Sequence, residues 1–100
     1  MSSFHLEPNG TNLGLRLSGE VTIEHARELH AALLAALAPG STLRVDAGDL
    51  ARLDAAALQL LIAAARAATH TEIVAASDGW TLALARFGFD ASVFAPLRLS

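Results

Sequence analysis

The stretch Leu43-Arg44-Val45-Asp46-Ala47-Gly48-Asp49-Leu50-Ala51-Arg52-Leu53-Asp54-Ala55-Ala56-Ala57-Leu58-Gln59-Leu60-Leu61 decides the fold. At its start Leu43, Val45 and Ala47 alternate with Arg44 and Asp46, the period-2 pattern of a strand with one buried face. At its end Leu58 and Leu61 open a helical stripe that Ile62 and Ala65 continue, to about Ala68. Asp54 stands just before the helix, where a side-chain oxygen can serve a free backbone N–H. Gly48 to Leu53 reads as the loop between strand and helix. A strand feeding a helix in this way is one half of a β-α-β unit, so strands are expected on either side.

Upstream, a helix is expected from Ile23 to about Ala38. Ala26, Leu29, Leu33 and Leu37 recur at helical spacing, and Leu34 widens the stripe. Thr22 suits the N-cap, Glu24 lies in the favourable first turn, and Pro39-Gly40 stops the helix. Before it, Leu13, Leu15 and Leu17 alternate with Gly14, Arg16 and Ser18, and Gly19 suits a tight departure from that strand. Phe4 to Glu7 forms a first short strand, joined to the next through the turn residues from Pro8 to Asn12 as an antiparallel hairpin.

Downstream, Thr69-His70 ends the second helix and Glu72 to Ala76 is a strand centred on Ile73 and Val74. Ser77 or Asp78 caps a third helix, with Trp80, Leu84 and Phe87 on one stripe. Trp80 on that stripe belongs to the core rather than to a groove. Gly88 suits a left-handed C-cap, with Phe89 making the accompanying apolar contact. The tail holds Val93, Phe94 and Leu97. The order β-β-α-β-α-β-α predicts an α/β fold spanning residues 1–100 as one domain. The sheet is mixed, with an initial antiparallel hairpin and right-handed crossovers, and helices cover its leucine face.

Composition restricts the chemistry. Of the 100 residues, 53 % are hydrophobic and 17 % charged, enough apolar side chain for a core and too little charge for disorder. The chain has no cysteine, tyrosine or lysine; all 7 basic residues are arginine. Disulfides, thiolate nucleophiles, Schiff bases and a phosphate-loop lysine are therefore excluded. A net charge of −3 gives no basic footprint for nucleic acid. The apolar run from Ala55 to Ala65 falls short of the roughly 20 residues that a membrane helix needs. The first residues do not read as a signal peptide, so a cytoplasmic protein is expected.

Candidate sites are few. His25 and His30 are five apart and turn away from each other on a helix, so they make no metal pair; with His5 and His70 they read as surface histidines. Asp46, Asp49 and Asp54 are close in sequence. They are compatible with an acid/base pair or a magnesium site, but also with a solvated loop and an N-cap, the simpler account. No nucleophile–base pair can be assembled, and no cofactor or metal is expected.

Three segments together resemble a STAS domain, the fold of the anti-sigma factor antagonists. Leu15-Arg16-Leu17-Ser18-Gly19-Glu20-Val21-Thr22 is similar to that family's strand before its first helix. The segment Leu43 to Leu61 is similar to its strand, short loop and second helix, and Ser77 to Phe89 to its last helix. Leu58-Gln59-Leu60-Leu61 looks most like members encoded near chemotaxis genes. The resemblance implies a non-catalytic interaction module of bacterial signalling and transcription regulation. Its partner would be an anti-sigma factor of the serine-kinase type or a chemotaxis protein; a homodimer stays open. The docking residues implied are Asp49, Arg52, Asp54, Ala55, Ala56 and Gln59. In phosphorylated members a Ser or Thr follows the Asp. Here Ala55 and Ala56 occupy those positions without a hydroxyl, and Ala57 replaces the glycine. Two other roles fit the same resemblance: a nucleotide sensor, for which only Arg52 could meet phosphate, and a STAS subunit of a lipid-transport ABC system.

Overall fold

The computed structural model describes residues 4–37 and 40–89. Ala38, Pro39 and the tail with Val93, Phe94 and Leu97 lie outside the described residues. The elements are β1 (Phe4–Asn9), β2 (Asn12–Val21), α1 (Ile23–Ala36), β3 (Thr42–Leu53), α2 (Ala55–Ala67), β4 (His70–Ala76) and α3 (Asp78–Arg86). They follow the expected order. The sheet order is β1-β2-β3-β4, with β1 antiparallel to β2 and the other neighbours parallel. The hairpin is tighter than the run of turn residues suggests: Asn9 pairs with Asn12, leaving only Gly10 and Thr11 between the strands.

The largest difference from the sequence reading is at β3. Gly48 to Leu53 is not a loop; the strand continues to Leu53 and stays paired with β2. The reason is a pair of bulges. Arg16 and Ser18 pair with Asp46 and Asp49, and Gly19 and Glu20 pair with Leu50 and Arg52. At each step β3 carries one residue more than β2, so its inward positions change from every second residue to every third. Leu43, Val45 and Ala47 are buried, then Leu50 and Leu53. That spacing no longer looks like a strand. A related correction concerns Gly19, which does not end β2. The strand runs on to Val21, and Gly19 adopts φ +61° between the two shifts of register, a conformation that side chains with a Cβ rarely take.

One contiguous core lies on the helix side of the sheet. Leu13, Leu15, Leu17 and Val21 of β2 meet the inward residues of β3. Ala26, Leu29 and Leu33 of α1, Leu58 and Leu61 of α2, and Trp80 and Leu84 of α3 close over them. Full burial of each leucine contributes about 1.5–3 kcal/mol. Trp80 is 2 % exposed, so it is core as its stripe implies. Leu34 is 64 % exposed and does not widen the stripe. On the opposite face, exposed charges pair across strands: Arg44 Nε to Glu72 Oε2 at 3.3 Å, and Arg16 Nε to Asp46 Oδ2 at 3.7 Å.

Helix ends follow local chemistry. The Ser77 hydroxyl accepts from Trp80 N–H at 3.2 Å and donates to the Leu50 carbonyl, so it both caps α3 and ties it to β3. Gly88 has φ +79°, and the N–H of Phe89 reaches back to the Leu84 carbonyl at 2.8 Å, closing the helix as expected.

Candidate protein-docking surface at the start of two helices

The bulged register brings the C-terminal ends of β2 and β3 level, Val21 beside Leu53. The two helices that follow therefore begin side by side. Asp54 N–H donates to the Val21 carbonyl at 3.0 Å. The Asp54 carboxylate makes no side-chain hydrogen bond within its own helix. It accepts instead from Ile23 N–H, the first residue of α1, at 3.3 Å. Its cap is thus placed on the neighbouring helix. One carboxylate sits between two helix N-termini, each with partial positive charge, and Arg52 Nε approaches it at 3.9 Å.

The α1 start has a second fastening. Thr22 is the N-cap, and its backbone N–H donates to His25 Nδ1 at 3.2 Å. His25 is half-buried here, not a plain surface residue, whereas His5, His30 and His70 are exposed. The three aspartates do not converge. Asp46 pairs with Arg16 on the open sheet face and accepts from Gly48 N–H at 3.0 Å. Asp49 lies opposite Ser18, about 10 Å down the strand from Val21 at some 3.3 Å per residue. Among the described residues no group of three or more His, Asp or Glu could hold a metal ion.

Of the residues implied by the resemblance, Asp54, Ala55, Ala56 and Gln59 share this corner, with Arg52 at its border. Ala55 and Ala56 form the first turn of α2 and are half-exposed; Gln59 is exposed. Asp49 does not join them. Ile23, which the sequence reading leaves out, does: it is 67 % exposed and hydrogen-bonded to Asp54. Its spacing continues the Ala26–Leu29–Leu33 stripe, so periodicity gives no sign of its exposure. It is exposed because it stands two residues past the end of β2, where the sheet no longer supports it.

The fold and this corner define a small α/β module with helices on one face of a mixed sheet. The family model described as "Mlab, STAS domain" matches residues 4–98, and the chain belongs to the STAS domain family. A crystal structure of an anti-sigma factor antagonist from Mycobacterium paratuberculosis is similar, with a TM-score of 0.74 and 21 % identity. That match covers 97 % of this chain and 85 % of the other. A structure titled "Crystal Structure Analysis of Mglu" shares the fold over 62 % of this chain and 16 % of its own, with a TM-score of 0.52 and 24 % identity. No curated protein matches this sequence. No helix among the described residues is long and apolar enough to cross a membrane.

Proposed function

We propose that residues 1–100 act as one non-catalytic interaction module of bacterial signalling, similar in role to an anti-sigma factor antagonist, in the cytoplasm. The docking surface is the corner formed by Ile23, Asp54, Ala55, Ala56 and Gln59, with Arg52 beside it. One observation carries this reading: the Asp54 carboxylate joins the two helix starts into a single preorganised surface that presents an exposed isoleucine and small alanines. Small side chains let a partner backbone approach closely, and a preformed surface loses little freedom on binding. Neither Ala55 nor Ala56 can accept a phosphoryl group, so the surface stays competent without a kinase or phosphatase cycle. Control then lies with the partner.

The reading is tested by purifying the protein from its native host and identifying what comes with it. Recovery of an anti-sigma factor of the kinase type, or a chemotaxis protein, with no phosphate on residues 54–60 by mass spectrometry, is the expected result. Recovery of a transporter ATPase subunit would move the same docking corner to a lipid-transport ABC system. Association with neither class would overturn the signalling assignment.

A further inference from the structure

A second feature lies on the other side of the β3 end. An open groove of about 540 Å³ runs along the seam between the last residues of β3 and α3. Arg52 and Leu53 form one wall, Leu82, Ala83 and Arg86 the other, and Gly79 lies between them. The groove exists because α3 rests directly on the bulged strand. A Cβ at Gly79 would come within 2.6 Å of the Leu50 carbonyl oxygen and press on the Ala51 carbonyl, so only glycine allows this approach.

The lining is unlike the rest of the molecule. The chain carries a net charge of −3, yet both ionisable residues of the groove are arginines. Arg52 is 63 % exposed despite its contact with Asp54, and Arg86 has no ion pair among the described residues. Between them Leu82 is 68 % exposed, more than any other large apolar side chain among the described residues. Since Gly79 rests on Leu50 and Ala51, Arg52 stands at the N-terminal end of α3. Arg86 follows Gly79 by seven residues, about 10 Å along the helix axis at 1.5 Å per residue. A peptide in the extended polyproline II conformation covers it in about three residues and returns its side chains to one face at that spacing.

We propose that this groove docks an extended acidic segment of a partner protein, with two carboxylates about three residues apart on Arg52 and Arg86 and an apolar side chain between them on Leu82. The groove shares only Arg52 with the border of the α1–α2 corner, and it does not rest on the role assigned there.

The test is an amide-shift titration of the isotopically labelled full chain with the synthetic peptide Gly-Glu-Leu-Leu-Glu-Gly. Saturable shifts confined to residues 51–53 and 79–86, weakened by added salt, are expected. Arg86→Glu and Leu82→Ser should each lower affinity by about tenfold. Arg27→Glu, which makes the same change of net charge on α1 outside the groove, should stay within about twofold. Absence of saturable shifts would overturn the proposal. So would equal binding of Gly-Lys-Leu-Leu-Lys-Gly, an Arg27→Glu loss as large as that of Arg86→Glu, or reproduction of the same shifts by inorganic phosphate alone.

Discussion

Asp54 and Gly79 show how single side chains set this architecture. Removing the Asp54 carboxylate leaves Ile23 N–H without its partner and frees the two helix starts from each other. Asp54→Ala should lower stability by about 1 kcal/mol in urea denaturation, with Asp54→Asn losing less because its amide oxygen can still accept. Gly79→Ala acts by overlap. The new methyl meets backbone carbonyls that cannot rotate away, so α3 must lift off β3 at a cost of about 1–3 kcal/mol or more. If Gly79→Ala proved neutral, the close seating of α3 would be wrong. The two residues differ in how far the sequence announces them. Asp54 before an apolar helix is visible as a cap, but which helix it serves depends on register and cannot be read locally. Gly79 carries no local sign, because its constraint comes from a strand more than two dozen positions away.

At the scale of elements, the alternating parts of β2 and β3, the helical stripes and the Gly88 stop are all legible, since each is a local pattern with a local cause. Gly48 to Leu53 is not, because two bulges convert a period of two into a period of three. A strand with that spacing is recognised only when its partner strand supplies the missing hydrogen-bond pairing. The same bulged segment holds α3 through Ser77. Ser77→Ala removes the cap on Trp80 N–H and the tie to Leu50 together. It should cost about 1 kcal/mol, and hydrogen exchange should show faster amides in α3 than in α1 or α2. Uniform acceleration across all three helices would mean that α3 does not open as its own unit. The docking corner is likewise an element-level property: Ala55, Ala56 and Gln59 are legible as a helix start, while Ile23 joins them only through the side-by-side placement of two helices.

For the whole molecule, stability resides in the single leucine-rich core and not in the charged face of the sheet. Arg44 and Glu72 are each about half exposed, so their ion pair is screened. Arg44→Ala should change stability by no more than about 0.5 kcal/mol, whereas Leu58→Ala, fully buried, should cost about 2–5 kcal/mol. The helix layer leaves the N-terminal starts of α1 and α2 together at one edge, and Ala55 and Ala56 give that edge no hydroxyl at the first turn of α2. This edge is the surface proposed to dock a partner in its unmodified form. The direct measurement is calorimetric affinity of the natively copurified partner for the wild-type protein and for Ala56→Glu. Glutamate in the first turn of α2 suits the helix dipole and keeps the fold, while adding the charge that the native surface lacks. Ala56→Glu should lower affinity by at least about tenfold with an unchanged thermal melt. Unchanged affinity would contradict the placement of the interface.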